Sequence, residues 1–445
     1  MKRKTTKTLL LAIVVMLLTI SIQPSMIQAA DLELEAETAI LVDFETGKIL
    51  YAKDADVALP PASMTKVMTE YLVLEAIDSG QITWETTTKI SDYAYEISAP
   101  NNGFSGIGLR QDREYTVREL YERMAIISDN ATTIALAELI AGSEGEFVKL
   151  MNQKAEELGL PEAEFVNSSG LDNVHLGDNY PEGTDPEGVN LLSARSMALL
   201  AYHLIKDYPH ALEISSQLSV EAEGEVTENL NWMLPHDSVN LEQYYYEGID
   251  GLKTGYTELA ENTFTGTATQ NGKRLISVVM KAGEYAEKGL RFEETAKLMD
   301  YGFNKFQTTE LFQKGYQLED QATLPVAKGK EDSVNISLSE GITVPILAEE
   351  ADSYHLEYQI DEDRLNEDGE LIAPVKQGDI IGTATLVYEG GDDYGYIIPS
   401  NNSIDLIAED TVEKANWFML TLGAIGDFFA NVFTTAVDWI KGLFS

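Results

Sequence analysis

The sequence predicts an α+β fold: an antiparallel sheet flanked by helices with an inserted helical cluster, followed by a small all-β domain and a C-terminal amphipathic helix. Three observations carry the prediction. Strand patterns occupy residues 39–42 and 48–52 and return at 252–256, 262–268 and 274–280, so the chain leaves one sheet and re-enters it. The stretch between is dominated by apolar residues at three- and four-residue spacing. Beyond about Gln307 the segments alternate or are β-branched, with Gly, Asp and Asn between them.

Taken in order, Lys2, Arg3, Lys4 and Lys7 precede an apolar run from Leu9 to Ile20, and Ala29-Ala30 supply small residues. Residues 1–29 therefore read as an export signal peptide. A retained anchor is the alternative, disfavoured by the short apolar core and by Pro24. Residues 30–306 form the main domain. Pro60-Pro61 break the chain before Ser63, and Met64, Val67, Met68, Tyr71 and Leu72 then mark a helix that ends at Ser79-Gly80. Residues 117–127 and 131–141 are helical around Ser128-Asp129-Asn130, and a further helix covers about 146–158. Residues 173–190 read as an acidic surface loop, followed by a helix from about Ser193 to Lys206. Asn271-Gly272 joins two strands as a hairpin, and a helix over 291–306 closes the unit.

Segments 334–338, 343–348, 354–360 and 380–388 predict a small β-rich domain over 307–389, and 390–410 reads as a linker. The tail, 411–445, carries Phe418, Leu422, Ile425, Phe429, Val432, Phe433, Ala436, Ile440 and Leu443 as one apolar stripe. Asp427 and Asp438 on the remainder favour a helix lying in a membrane interface over one that spans. Docking on the chain's own β domain is the alternative.

Composition narrows the chemistry. Among 445 residues there is no Cys, which excludes disulfides, thiolate metal sites and Cys nucleophiles. With 31 Lys+Arg against 74 Asp+Glu the formal charge is −43, so nucleic acid is excluded as a partner by repulsion of its phosphates. None of His175, His203, His210, His236 and His355 sits in a metal-type pair, and no Gly-x-Ser-x-Gly elbow occurs.

Ser63-Met64-Thr65-Lys66 is the only Ser-x-x-Lys in the chain. A serine hydroxyl needs a base to become nucleophilic, and on a helix Lys66 lies on the face of Ser63. Taken alone, a capping serine beside a solvated lysine explains the tetrapeptide better. Ser128-Asp129-Asn130 lies between two apolar helices, where a short loop can project polar groups into a cleft or simply cap. Lys253-Thr254-Gly255, also unique, starts from a strand. There a cation and a hydroxyl can meet a carboxylate, and Gly255 leaves room for a substrate backbone. Its alternative is an exposed strand lysine before a turn.

The ordered set, at separations of 65 and 125 residues, resembles the penicillin-recognising serine enzymes. Leu59-Pro60-Pro61-Ala62-Ser63-Met64-Thr65-Lys66, Asn229-Leu230-Asn231-Trp232-Met233-Leu234 and Gly248-Ile249-Asp250-Gly251-Leu252-Lys253-Thr254-Gly255 look like D-alanyl-D-alanine carboxypeptidases, the low-molecular-weight penicillin-binding proteins. The resemblance covers about 32–306 and, more loosely, the β domain and tail. It implies an exported enzyme on the extracytoplasmic face of the membrane, held there by the C-terminal helix. The substrate would be the D-Ala-D-Ala end of a peptidoglycan stem peptide, β-lactams would be inhibitors, and no metal or organic cofactor is needed. Ser63 would be the nucleophile and Lys66 its base. Ser128 would relay the proton with Lys253, and Asn130 would orient substrate and Lys66. Lys253 and Thr254 would bind the terminal carboxylate, and the N–H groups of Ser63 and Tyr256 would form an oxyanion hole. Two alternatives stay open: a β-lactamase-type hydrolase, for which Glu187 and Asn190 faintly resemble a deacylation loop, and a non-catalytic wall-binding or sensor protein.

Overall fold

The computed structural model describes residues 32–318, 321–398 and 402–416. The expected signal peptide, and the tail from 417 onward, lie outside the described residues.

Residues 39–42 and 275–280 are buried throughout. They belong to two of the three inner strands of one antiparallel sheet, β1 (Thr38–Asp43) and β5 (Lys273–Met280), with Ile40 opposite Val278. β2 (Ile49–Lys53), β3 (Ile249–Thr257) and β4 (Glu261–Gln270) complete it in the order β2-β1-β5-β4-β3. The first two strands thus lie beside three contributed some two hundred residues later, as the sequence pattern requires.

Both faces of this sheet are covered, so its inner strands run apolar rather than alternate. Six helices matter to the site: α1 (Lys66–Asp78), α2 (Val117–Ile127), α3 (Asn130–Ala141), α4 (Glu144–Glu157), α5 (Ala194–Asp207) and α6 (Leu290–Lys305). On one face α6 sits so close that a Cβ at Gly302 would meet Leu275 and Leu41 at 2.6 and 2.8 Å. On the other, Ile40, Val42, Ile276, Val278 and Met280 share a core with α1, α2, α3 and α5. α1 is buried at every position from Lys66 to Leu74. A helix buried all round must bury its polar groups too, and Lys66, Thr69 and Glu70 go inside with the apolar residues.

A second apolar core forms the β domain. Its sheet runs, in spatial order, through Tyr354–Ile360, Ile380–Tyr388, Ser403–Ala408, Ser333–Leu338, Thr323–Ala327 and Leu371–Ile372. Phe306–Phe312 pairs separately with Ile342–Leu347. Two boundaries need correction. Residues 390–410 are not simply a linker, because Ser403–Ala408 is an inner strand between Ile380–Tyr388 and Ser333–Leu338. Just before it, Ile397 enters the core of the main domain, with Ile49 N donating to Gly395 O and Ile397 N to Gly47 O. Residues 411–416 do not begin a helix. Val412 bridges Val375, Lys414 bridges Gly329, and Val412 is buried. The two domains also meet at Lys48, a buried ammonium that donates to Tyr354 OH and lies 4.5 Å from the centre of that ring.

The 173–190 loop is mostly exposed along 182–187, but Asn173 and Asn190 at its ends are buried.

Candidate active site

Ser63 lies in a 3₁₀ turn, Ala62–Thr65, that runs directly into α1. The turn is pinned from two sides. Ala62 holds a φ of 48°, and Gly170, at φ 83°, approaches so closely that a Cβ there would lie 1.9 Å from Ala62 O. From the sheet, a Cβ at Gly255 would lie 2.7 Å from Pro61 O and 2.4 Å from Thr263 Oγ1. This corrects the expectation for Gly255. The space it leaves is filled by the turn that carries Ser63 rather than by a substrate backbone.

Lys66 is fully buried, and its Nζ has three partners: Ser169 O at 2.6 Å, Asn130 Oδ1 at 2.8 Å and Ser63 Oγ at 3.0 Å. Two of these only accept; the third is a hydroxyl, which can also donate. A neutral amine has two N–H donors and one lone pair, so it satisfies both carbonyl oxygens and aims its lone pair at the Ser63 proton. Electrostatics push the same way. Burial, and next the neighbouring charge of Lys253, hold the Lys66 pKa well below the usual lysine value.

The loop between α2 and α3 does what its sequence allows. Ser128 ends α2 in the left-handed region at φ 60° and ψ 36°. Asp129 caps α3, accepting from the N–H groups of Ala131 and Thr132, and forms a buried ion pair with Arg123 at 2.7 Å. With the loop locked between these caps, Asn130 turns Oδ1 to Lys66 while its Nδ2 donates to Ser105 O at 3.2 Å. Ser128 Oγ is buried and has no hydrogen-bond partner among the described residues. Capping and site-building coexist here.

β3 is the sheet edge nearest this turn. Lys253 and Thr254 are buried on it, and Lys253 Nζ donates to Thr254 O at 3.1 Å. Burial pulls the Lys253 pKa down, opposed by the charge of Glu70 and aided by Arg291. The half-buried Tyr256 sets its ring 5.0 Å from that of Tyr285 at the rim.

Ser63, Lys66, Asn130 and Lys253 are therefore linked directly, by contact or by charge. Several contributors escaped the sequence reading. Ser169 offers a backbone carbonyl, which no side-chain pattern announces. Its loop is held by Glu144 and Asn190. Glu144 accepts from Ser168 N at 2.9 Å and from Tyr93 OH at 2.8 Å. Asn190 accepts from Val166 N at 2.7 Å and donates to Thr65 Oγ1 at 2.9 Å. Glu187, the carboxylate required by the β-lactamase alternative, is exposed. The buried carboxylates that bear on Lys66 are Asp129, Glu144 and Glu70. Arg291, buried on α6, donates from Nη1 to Gly255 O at 2.9 Å, and burial lowers its pKa to about 10. It brings a second cation to the strand of Lys253.

A serine hydroxyl 3.0 Å from the amine of a buried lysine, beside a strand edge carrying a second lysine, is the arrangement of a serine hydrolase, in which a base activates the hydroxyl. Comparison with known proteins narrows the class. A family model described as D-alanyl-D-alanine carboxypeptidase matches residues 25–284, and one for the penicillin-binding protein 5 C-terminal domain matches 306–414. The chain is 32% identical over 366 residues to D-alanyl-D-alanine carboxypeptidase DacF of Bacillus subtilis (strain 168), covering 82% of this chain and 84% of that one. Its fold is similar to the crystal structure of a peptidoglycan synthesis regulatory factor (PBP3) from Streptococcus pneumoniae, with a TM-score of 0.66 and 36% identity over 86% of this chain and 100% of that one. Penicillin-binding protein D2 from Listeria monocytogenes, in its ampicillin-bound form, matches at a TM-score of 0.50 and 33% identity, covering 61% of this chain and 98% of that one. The chain belongs to the D-alanyl-D-alanine carboxypeptidase family.

Proposed function

We propose that Ser63 carries the acyl group when this carboxypeptidase removes the terminal D-alanine of a peptidoglycan stem pentapeptide. The observation that carries the reading is Lys66 Nζ, buried and 3.0 Å from Ser63 Oγ, with its two donors already engaged by carbonyl oxygens. The Ser63 proton passes to Lys66 as Oγ bonds to the carbonyl carbon of the penultimate D-alanine. The N–H groups of Ser63 and Tyr256 receive the developing oxyanion. Ser128, with Lys253, returns the proton to the amine of the leaving D-alanine, and the C–N bond breaks. Water then hydrolyses the ester and frees Ser63. Asn130 orients Lys66 and the substrate. Lys253 and Thr254 bind the terminal carboxylate, and Arg291 strengthens the positive field there. The Listeria relative in its ampicillin-bound form supports β-lactam binding by this chain, with Ser63 as the group that would be acylated.

The test is release of D-alanine from a pentapeptide and from the same peptide amidated at its terminus. A charge-assisted hydrogen bond contributes roughly 1.5–3 kcal/mol, so amidation should slow release more than tenfold. Equal hydrolysis of the two peptides removes Lys253 and Thr254 from carboxylate recognition.

Attachment to the outer membrane surface through the tail is supported by the apolar stripe Phe418 to Leu443, together with Trp417 and Trp439. Among the described residues no helix is long and apolar enough to cross a membrane. Because 411–416 pair within the β domain, the informative truncation removes 417–445. It should shift the enzyme from the membrane to the soluble fraction with its rate unchanged. Continued membrane binding of the truncated protein, after signal cleavage, overturns the anchor.

A further inference from the structure

Two lysines with opposite duties share one dry cleft. Lys66 has to be neutral to accept the Ser63 proton, and Lys253 has to be cationic to hold a carboxylate. Burial disfavours charge on both, and the charge of Lys253 disfavours protonation of Lys66 further. Which lysine keeps a proton must be decided by the groups around them.

Glu70 lies one turn after Lys66 on α1 and is only 2% exposed. A carboxylate is rarely buried this deeply without a partner, and Glu70 Oε2 accepts from Tyr121 OH at 3.0 Å. Burial pushes the Glu70 pKa up to about 7, and three groups hold it down towards the ionised form: the charge of Lys253 on β3, the hydrogen bond from Tyr121 on α2 and the charge of Lys66 on its own helix. Around these stand other charges. Asp129 and Glu144 act on Lys66, but Asp129 is paired with Arg123 and Glu144 is held by Ser168 and Tyr93. Arg291 acts on Lys253, and as a cation it works against protonation there. The influence of Glu70 is unequal. Its strongest charged partner is Lys253, and it is the charge that most favours protonated Lys253. On Lys66 its pull is weaker than those of Asp129 and Glu144.

We infer that Glu70 is a positioning residue of the hydrolysis: its buried carboxylate, oriented by Tyr121, keeps the shared proton on Lys253 rather than on Lys66. The inference rests on the roles proposed above for those two lysines. The side-chain contact of Glu70 is with Tyr121 OH; it acts by biasing the charge of the lysine pair. Glu144 cannot substitute, since its oxygens serve the 168–169 turn and face Lys66 rather than Lys253.

The experiment is the pH profile of kcat/KM for D-alanine release by the full-length protein, on free and amidated pentapeptide. The alkaline limb reports loss of the Lys253 proton. Removing a carboxylate that favours this proton lets it leave at lower pH. Glu70→Gln should therefore move the alkaline limb down by about one unit or more, a roughly tenfold loss at the wild-type limb, carried by KM. Glu70→Asp keeps the charge and should hold the limb. Tyr121→Phe makes the carboxylate easier to protonate and should shift the limb the same way by less. On amidated peptide, which has no carboxylate to hold, these shifts should largely vanish. A Glu70→Gln profile lowered evenly at every pH, or an unchanged one, overturns the inference. If Glu70→Gln does not fold, an unmoved limb in Tyr121→Phe overturns it alone. If wild-type enzyme does not discriminate free from amidated peptide, the underlying role of Lys253 fails first. Discrimination with an unmoved limb condemns the role of Glu70 only.

Discussion

Replacing Ser63 with alanine is expected to abolish covalent labelling by a labelled penicillin and to reduce D-alanine release to background. The predicted loss in kcat is on the order of a millionfold, the scale found when the nucleophile of an acyl-enzyme mechanism is deleted. Alanine keeps the Cβ, so the 3₁₀ turn and the packing of Gly170 and Gly255 against 61–62 should survive, and circular dichroism and thermal stability should stay near wild type. Competing hydroxyls are limited. Ser168 donates to Glu144, and Ser169 Oγ is hydrogen-bonded to Asn167. Ser128 Oγ is buried beside this cleft and has no hydrogen-bond partner among the described residues, which makes it the informative rival. Mass spectrometry of the labelled peptide separates the two. Undiminished labelling of the Ser63→Ala protein, or a label on the peptide containing Ser128, ends the assignment.

The central sheet was legible because its strands are short apolar runs between turn signals, and because the gap between the two sets was filled by helical spacing. The β domain was read less well. Phe306–Phe312 follows an amphipathic helix without a break and buries little of itself, so its local pattern merges with α6. Ser403–Ala408 carries alternating Ile404, Leu406 and Ala408, but it follows a Gly, Asp, Asn and Pro stretch that reads as a loop. Its partners lie some twenty and seventy residues away, and such pairing leaves no local trace. Val412 and Ala415 were assigned to a helix because apolar spacing continues past them; the backbone pairing to Val375 and Lys328 decides otherwise.

At the site the legible part was the set of three short motifs, since side chains that do chemistry leave their identity in the sequence. What supports them does not. Ser169 acts through its carbonyl, and Gly255 acts by what it lacks. Glu70 is one acid among 74 Asp+Glu, and its burial is invisible because α1 has no exposed face over that turn. Asn190 sits at the end of an acidic loop in sequence, yet it ties Val166 and Asn167 to Thr65, two residues from Ser63. Each of these requires the three-dimensional neighbour to be known first.

Lys66→Arg should lower acylation by about a hundredfold to ten-thousandfold, the usual contribution of a positioned general base. The substitution puts a permanent cation where wild type holds a neutral amine and so removes basicity, because a guanidinium stays protonated at any pH the protein survives. In wild type, burial and Lys253 hold the Lys66 pKa far below its ordinary value, so the amine remains neutral down to a correspondingly low pH. The acid limb of kcat/KM marks where Lys66 gains its proton and loses the lone pair facing Ser63 Oγ. Activity should fall as pH drops through that limb, and the Arg variant should lack it, since its side chain has no lone pair to lose. The geometry adds a second cost. The Lys66 pocket is closed by Ser169 O, Asn130 Oδ1 and Ser63 Oγ within 3.0 Å, and a planar five-donor fork cannot satisfy those partners in the same space. Comparing second-order acylation by a penicillin across pH, with thermal stability as the folding control, separates lost basicity from lost structure. A folded Lys66→Arg enzyme that acylates near the wild-type rate at neutral pH would remove Lys66 as the base and leave Lys253 or Ser128 to take the proton.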